Sequence, residues 1–461
     1  MRKKNLSKKM YIVLAALVMA GMMSGCGSSI SGNNNVSAKS TEESYAEDGN
    51  STDETSNGSS SDDEMFTDRD MEQSPDLTDV EYISLSNGED VNITEEGIYM
   101  ISGSAENATI YVEAGDEDKV QLVLDGAEIT NETIPCIYVK SADKVFVTTT
   151  EEESSLKVTG SFTADGDTNP DAVIFSKDDL VINGQGTLNI TSTDNAVACK
   201  DEIKVTGGTM NIECTGDALE AHDAINIADG TINITSCNDG LHAEDSDDNT
   251  IGSIYIGGGN LTINAKDDAI HGTTTVSIDG GEFDLTGGEC IEGTYITVND
   301  GNINIQASDD GINAAAKSSS LTPTYEMNGG NVTIVMGAGD TDGVDSNGDT
   351  YINGGTLDIS GQSTFDYDGT AQYNGGTIIE NGTQTNTITN QDFGMGGMGP
   401  GAGGGMGPGA GGDMGPDMDG DGTESGTNGN RRGPGGGMRP GNKMNPGNMD
   451  QQEDELEGED I

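Results

Sequence analysis

The sequence contains no tryptophan and few other aromatic residues, with 7 Phe and 12 Tyr among 461 residues. This excludes a flat tryptophan platform for stacking sugar rings. Basic residues are also scarce, at 20 Lys and Arg against 81 Asp and Glu, so the formal net charge is −61. A nucleic-acid-binding protein needs a positive surface, and this charge argues against that class. It favours cations as partners instead.

Large apolar side chains are scarce as well, since only 32% of the residues are hydrophobic. The 69 glycines bring the combined share of apolar residues and glycine into the range usual for folded domains. We therefore expect a core made mainly of small and β-branched residues. After the N-terminal segment, no apolar run reaches the length of about 18 residues that a membrane-spanning helix needs.

The first 25 residues resemble a lipoprotein signal peptide. A basic start precedes a short apolar run at 11–22, and Ser24 and Gly25 then stand directly before Cys26, as in a bacterial lipobox. We expect cleavage before Cys26 and lipidation of its side chain. This would anchor the protein at the extracellular face of the cytoplasmic membrane of a Gram-positive-type cell. Ordinary secretory cleavage is the alternative. Cleavage would remove five basic residues and leave a charge of −66.

Composition divides the remainder of the chain into three parts. Residues 26–78 are rich in Ser, Asn and acidic residues, which predicts a solvated linker. Residues 79–391 show regular apolar alternation. Residues 392–461 are rich in Gly, Met and Pro and end in acidic residues, which predicts a disordered tail because such a segment buries too little surface to offset its chain entropy.

Residues 79–391 contain a repeat anchored on glycine. The anchors lie 20 to 29 residues apart, a period typical of solenoids. They are Gly186, Gly208, Gly230, Gly259, Gly281, Gly301, Gly330, Gly355 and Gly376. Apolar residues alternate with polar ones on both sides of each anchor, which is the pattern of a strand with one buried face.

A further apolar position recurs once in each repeat, so a repeat contains three short strands and has no room for a helix. This position holds Val197, Leu219, Leu241, Ile270, Ile291, Ile312 and Val344. The repeat predicts an all-β fold, a single parallel β-helix of about 22 residues per coil, with coils stacked about 4.8 Å apart and disordered flanks on both sides.

An acidic column precedes the third strand of each coil. It consists of Asn195, Asp217, Asp239, Asp268, Glu289, Asp310 and Asp342, and is doubled by Asp194, Asp267 and Asp309. Stacked carboxylates repel one another unless cations or protons neutralise them. Carboxylates on a rigid backbone suit Ca²⁺, which takes six to eight oxygen ligands. The alternative is that Asp and Asn only form the turns. Our candidate calcium ligands are Asp217, Asp239, Asp267, Asp268, Asp309, Asp310 and Asp342.

A second polar strip follows the third apolar position. Equivalent places in four consecutive coils hold Glu220, His242, His271 and Glu292. These four residues are our candidate ligand-binding group, for sugar hydroxyls or a transition metal. The alternative is a structural ladder in which the histidines pair with the glutamates.

The five cysteines after Cys26 have no C-x-x-C spacing, which excludes a zinc ribbon or thioredoxin-type site. Cys214 and Cys237 fall at nearly equivalent positions of adjacent coils, so they could form a disulfide or stack as buried thiols. A lyase would need a base near the acidic column, and Lys200 and Lys266 are the candidates. Both stand beside aspartate, which favours the protonated amine that cannot act as a base.

The coil motifs together resemble the clostridial cell-surface carbohydrate-binding domain family. The run Asp171-Ala-Val-Ile-Phe-Ser-Lys177-Asp178-Asp179 carries this resemblance, with the Thr-Gly-Gly-Thr, Asp-Asp-Gly-Ile and Ile-Asn-Gly-Gly-Thr coils that follow. The resemblance covers about 80–391. It implies a calcium-loaded right-handed parallel β-helix, similar in fold to family-nine pectate lyases, that binds cellulose or acidic sugars such as polygalacturonate.

We therefore expect a monomeric, surface-anchored lipoprotein that binds polysaccharide with the help of Ca²⁺ and has no catalytic activity. The polysaccharide would be an acidic uronan or cellulose, and nucleic acid is not expected as a partner. A pectate-lyase-type enzyme is the first alternative. A structural surface adhesin or spacer that binds no glycan is the second.

Overall fold

The structure is a computed structural model that describes residues 65–338 and 341–391. These residues belong to the first of two units, Met1–Phe393, and the second unit, Gly394–Ile461, lies outside the described residues. The predicted signal peptide, Cys26 and the predicted tail also lie outside them. Among the described residues, no helix is long and apolar enough to cross a bilayer.

The described part of the chain forms 34 strands and no helix. Successive strands pass around three faces, and each strand pairs in parallel with the strand at the same place in the next coil. The first face contains β1 (Glu81–Ser84), β3 (Gly97–Glu106), β5 (Lys119–Asn131), β7 (Lys144–Thr149), β10 (Asp179–Gly184), β13 (Glu202–Val205), β16 (Ala224–Ile227), β19 (Ser253–Ile256), β21 (Ile270–Ile278), β23 (Ile291–Val298), β26 (Thr324–Met327), β29 (Asp349–Ile352) and β32 (Ala371–Tyr373).

The second face continues from the C-terminal parts of β3 and β5. It contains β8 (Ser154–Val158), β11 (Thr187–Thr191), β14 (Thr209–Glu213), β17 (Thr231–Cys237), β20 (Asn260–Ala265), β22 (Glu282–Gly287), β24 (Asn302–Ala307), β27 (Asn331–Met336), β30 (Thr356–Ser360), β33 (Thr377–Glu380) and the antiparallel β34 (Thr383–Thr385).

The third face, on which the candidate site lies, includes the N-terminal parts of β21 and β23. Its other strands are β2 (Val91–Ile93), β4 (Ile110–Glu113), β6 (Ile137–Ser141), β9 (Ala172–Ser176), β12 (Asn195–Cys199), β15 (Leu219–Ala221), β18 (Leu241–Ala243), β25 (Ile312–Ala314), β28 (Asp342–Ser346) and β31 (Ser363–Tyr367). The predicted parallel β-helix is confirmed.

Aliphatic side chains from equivalent places in successive coils stack inside the β-helix. On the third face the column from Val197 to Val344 occupies the apolar position identified in the sequence, and each of its members is fully buried. Full burial of one such side chain contributes about 1.5–3 kcal/mol. The stack fixes the register between coils, because a shift of one residue would turn these side chains outward.

The anchor glycines lie where consecutive coils come closest. Gly259 has a φ of +97°, and a Cβ atom there would lie 2.8 Å from the carbonyl oxygen of Gly230 in the preceding coil. A side chain would therefore meet both backbone strain and a clash. The repeating glycine marks the close approach of backbones between coils.

The N-terminal segment 65–74 packs on the first face, although it lies in the range 26–78 that the sequence assigns to a linker. The carboxylate of Asp70 is fully buried, 3.5 Å from Lys144 Nζ and 3.6 Å from Lys204 Nζ. The Gln73 side chain donates to Thr206 O at 2.9 Å and accepts from the Gly184 amide at 3.0 Å. The polar composition of this segment does not indicate the contact. The segment docks through hydrogen bonds and ion pairs, and these leave no periodic pattern of apolar residues in the sequence.

Replacing Asp70 with alanine should release this segment. The substitution would remove the carboxylate that Lys144 and Lys204 share and leave them Asp179 and Glu202, at 3.6 and 3.0 Å. The loss should therefore be smaller than about 3–5 kcal/mol, the cost of leaving a buried charge uncompensated. We expect faster hydrogen exchange at the amides of residues 67–73 and a lower melting temperature. The exposed Asp68, changed to alanine, is the matched control. Unchanged exchange in D70A would contradict this account of the docking.

Candidate functional site

On the third face, one register position holds aromatic residues in the early coils and polar or charged residues in the later coils. Its side chains are Tyr111, Tyr138, Phe175, Ala198, Glu220, His242, His271, Glu292, Asn313, Asp345 and Asp366. The early coils place aromatic rings there, and those of Tyr138 and Phe175 are buried rather than available for stacking. The later coils place charged and polar groups there. The four strip residues predicted from the sequence are thus consecutive neighbours in the stack.

The inner acidic column forms a hydrogen-bonded ladder between coils. Asn195 Oδ1 accepts from the Asp217 amide at 2.7 Å, Asp217 Oδ1 from the Asp239 amide at 3.1 Å, and Asp239 Oδ1 from the Asp268 amide at 2.8 Å. Asp310 Oδ1 accepts from the Asp342 amide in the same way, at 2.9 Å. In Asp217, Asp239 and Asp310, one carboxylate oxygen therefore accepts from a turn amide of the next coil. This is expected if Asp and Asn form the turns. The other oxygen remains for a second partner.

In two coils a carboxylate of the column also pairs with a histidine of the strip. Asp217 Oδ2 lies 2.7 Å from His242 Nδ1, and Asp268 Oδ2 lies 2.8 Å from His271 Nδ1. His271 Nδ1 is also 3.0 Å from Glu292 Oε2. The two imidazole rings lie side by side with their centroids 4.8 Å apart. Column and strip therefore form one cluster rather than two separate ladders.

An open cleft of about 230 Å³ is lined by Asp239, His242, Asp268, His271 and Glu292 of this cluster, whereas Asp217 and Glu220 do not line it. Glu244, Asp267 and Glu289 complete its walls, together with Lys317, whose Nζ lies 2.9 Å from Glu292 Oε2. Lys317 reaches the cleft from the loop between β25 and β26. The cleft thus combines carboxylate acceptors with cationic donors, an arrangement that can bind several hydroxyl or carboxylate groups.

Burial and close pairing shift the pKa values of the cleft residues in opposite directions. Burial alone would lower the pKa of His271, but the hydrogen bonds that its ring donates to Asp268 and Glu292 outweigh burial and raise the pKa to about 10. Burial would raise the pKa of Glu292, yet His271 and Lys317 lower it to about 2. Burial and the charge of Glu292 raise the pKa of Glu289 to about 8. The cleft therefore contains both a stable cation and a carboxyl group that titrates near neutral pH.

A second acidic group lies further along the same face. Asp345 and Asp366 are register neighbours on β28 and β31, close to Asp310 and Asp342. Burial, followed by the charges of Asp310, Asp366 and Asp342, raises the pKa of Asp345 to about 7. The donors here are carboxylate oxygens alone, which is the ligand type that Ca²⁺ prefers. The cleft differs from this group, because imidazole nitrogens share its walls.

The outer carboxylates Asp267 and Asp309 are exposed and do not stack directly on one another. Gly288 lies between them, since its amide donates to Asp267 O and its carbonyl accepts from the Asp309 amide. Glycine in the intervening coil keeps these two charges two coils apart, about 9–10 Å. They are the predicted calcium ligands that solvent and an external ligand can reach.

The sequence missed Glu244, Lys317, Asp345 and Asp366 as members of these groups. Asp345 directly follows Val344, in the place that His242 has after Leu241, so extending the strip by two coils would have found it. Glu244 lies two residues after His242, on the same side of the chain. Lys317 comes from an irregular loop whose path has no repeat signal. The candidate bases Lys200 and Lys266 do not line the cleft.

The five cysteines of the described residues are buried and unpaired. This includes Cys214 and Cys237, so the structure has the stacked thiols and not the disulfide. Burial raises the pKa of the Cys214 thiol to about 12. These thiols therefore act as small core side chains.

The fold and the cleft define a parallel β-helix with a polar ligand surface on one face. A family model described as carbohydrate-binding domain-containing protein matches residues 87–340. The match spans more than half of the chain, so the chain belongs to this family. The family resemblance of the coil motifs is thereby confirmed.

This chain is similar to a known relative and to a solved structure. A carbohydrate-binding domain-containing protein of Acetivibrio thermocellus is 35% identical over 132 residues, which are 28% of this chain and 46% of the relative. The chain thus spans about half the length of that relative. A polysaccharide lyase-like protein from C. thermocellum, solved as a gadolinium derivative, is 29% identical, with a TM-score of 0.43 over 49% of this chain and 96% of that chain.

The ring of His271 should remain protonated well above neutral pH. Its raised pKa means that its contribution to stability is complete below about 6.5, the unfolded value, and is lost as the pH rises towards about 10. Imidazole NMR signals recorded between pH 5 and 11 would measure this titration. His222 is the internal control, because burial and Lys200 lower its pKa. A His271 midpoint near 6.5 would contradict the paired geometry.

Proposed function

We propose that this protein is a lipid-anchored, non-catalytic carbohydrate-binding protein that holds acidic polysaccharide through Ca²⁺. The observation that carries the proposal is the row of polar groups on the third face, in a chain that belongs to a carbohydrate-binding domain family. The cleft and the outer carboxylates lie on neighbouring coils of one face. An extended sugar chain lying along the stack would therefore meet both.

Calcium is needed because the protein and an acidic polysaccharide both carry negative charge. A chain of −61, or −66 after cleavage, repels a polyuronate, and no basic stripe offsets this repulsion. A divalent ion that ligates both a protein carboxylate and a uronate carboxylate removes the conflict. The exposed Asp267 and Asp309 are suited to this bridging. The group around Asp345 offers an oxygen-only site for a structural calcium ion.

The protonation state of Lys317, the lysine that reaches the cleft, argues against catalysis. Burial would lower the pKa of Lys317, but its bond to Glu292 outweighs burial and raises it. The amine is then protonated at neutral pH and cannot abstract a proton. This supports a binding function over the lyase alternative.

A neutral glucan would contact a different set of groups. On the second face, Asn189, Asn211 and Asn233 form an amide ladder in which each side chain donates to the preceding one, at 2.8 and 2.9 Å. Binding of cellulose to this ladder would not need a bridging ion. A requirement for calcium would therefore distinguish binding of an acidic uronan from binding of cellulose.

Polygalacturonate binding should need calcium and the outer carboxylates. We expect titration calorimetry of the full chain to show binding in Ca²⁺ that disappears in chelator. The double variant D267N/D309N should bind about tenfold more weakly or worse, a loss of at least about 1.4 kcal/mol. These exposed positions are preferable to Asp268, whose carboxylate holds His271.

The matched control is the double variant E282Q/D284N, an equal loss of two negative charges at exposed positions on the second face. It should bind as the unaltered chain does. Circular dichroism would check that each sample remains folded. Equal affinity in chelator, with the fold intact, would overturn the calcium-bridging proposal.

The anchor has its own test. Full chains with Cys26 changed to alanine should leave the membrane fraction of a Gram-positive host and fail to incorporate labelled palmitate. Membrane association and labelling that persist in this variant would contradict lipidation at Cys26.

A further inference from the structure

Three side chains on two adjacent coils of the third face converge at the cleft. His242 on β18 and His271 on β21 are register partners, and Glu244 follows directly after β18. Glu244 Oε2 lies 3.5 Å from His242 Nε2 and 3.6 Å from His271 Nε2. All three potential ligand atoms lie within 4.8 Å of one another.

The opposite nitrogen of each ring is already fixed. Asp217 and Asp268 accept from the Nδ1 atoms of His242 and His271, at 2.7 and 2.8 Å. A carboxylate on one imidazole nitrogen sets the ring orientation and directs the other nitrogen outward. Metal-binding histidines nearly always have such a partner. The Asp217 carboxylate also accepts from the Asp239 amide, and the Asp268 amide donates to Asp239 Oδ1. Both aspartates are therefore tied to the turn ladder before any ligand arrives.

One of the converging nitrogens is buried without a hydrogen bond. His271 is only 6% exposed, and its Nε2 has no hydrogen-bond partner, since Glu244 Oε2 at 3.6 Å is beyond hydrogen-bond distance. A buried polar atom without a partner is costly and needs a compensating interaction. This nitrogen faces the same point as His242 Nε2 and the Glu244 carboxylate.

We propose that His242 Nε2, His271 Nε2 and the Glu244 carboxylate bind a zinc-type divalent transition-metal ion, with a further position open to water or an external ligand. The ion would displace the Nε2 proton of the His271 ring, so binding releases a proton and strengthens as the pH rises. Ligand atoms at the zinc bond lengths of about 2.0–2.2 Å lie about 3.3–3.5 Å apart in a tetrahedron. The two distances to Glu244 are already near that value. Two nitrogens in the donor set favour zinc and its neighbours over Ca²⁺ and Mg²⁺, which take oxygen.

The ligands of this site differ from those of the proposed calcium bridge. It uses neither Asp267 nor Asp309, and its occupancy does not require a glycan. Metal binding can therefore be tested alone, and its failure would leave the glycan proposal standing.

The test uses the full chain, stripped with chelator and then titrated with Zn²⁺ by calorimetry in excess Ca²⁺ to saturate oxygen-only sites. Co²⁺ serves as a spectroscopic probe, because a tetrahedral site with nitrogen ligands gives intense visible absorption. We expect a single Zn²⁺ site, the cobalt spectrum, and a higher melting temperature with Zn²⁺.

Three variants localise the ion. H242A and E244Q should each weaken Zn²⁺ binding about a hundredfold or more and abolish the cobalt spectrum. The Glu244 side chain is 44% exposed, so E244Q leaves the core untouched and keeps the test valid if H242A misfolds. H222A is the matched control, because His222 pairs with Asp245 and Lys200 outside the cleft.

The proposal is overturned if the stripped chain binds no Zn²⁺, if E244Q binds it as tightly as the unaltered chain, or if H222A loses it equally. Displacement of the ion by excess Ca²⁺ would likewise contradict a nitrogen-ligated site.

Discussion

The fold depends on the register between coils. Parallel hydrogen bonds and stacked aliphatic columns hold each residue directly over its equivalent in the next coil, about 4.8 Å away. Leu241 over Leu219 and under Ile270 is one example. Because the buried side chains fix the register, outward-facing side chains at equivalent positions must also lie directly over one another, even when their charges repel. The polar face is a consequence of this constraint.

The protein offsets the resulting repulsion in three ways. Turn amides donate to the inner carboxylates, so Asp217 and Asp239 each have one oxygen satisfied. Two histidines then pair with the Oδ2 atoms of Asp217 and Asp268. Glycine in the intervening coil separates the outer carboxylates Asp267 and Asp309. Where none of these suffices, as at Asp345, the pKa rises to about 7, and a cation would stabilise the group.

Sequence periodicity predicted the fold because one coil is encoded nearly the same way each time. The glycine anchors, the apolar alternation and the Glu220–Glu292 strip all follow from counting residues, and the structure places them as neighbours. Counting could not show which oxygen of Asp268 meets His271, because that depends on side-chain rotamers. It also missed Lys317 and the docking of Asp70, since both come from segments outside the repeat.

The central claim is that acidic glycan lies along the third face and that calcium holds it there. Hydrogen–deuterium exchange of the full chain with oligogalacturonate tests this claim most directly, because it locates the ligand without altering a residue. We predict added protection in peptides covering 239–244, 266–271 and 288–292 when Ca²⁺ is present, and none in chelator. Protection confined to the first or second face, or equal protection in chelator, would contradict the account.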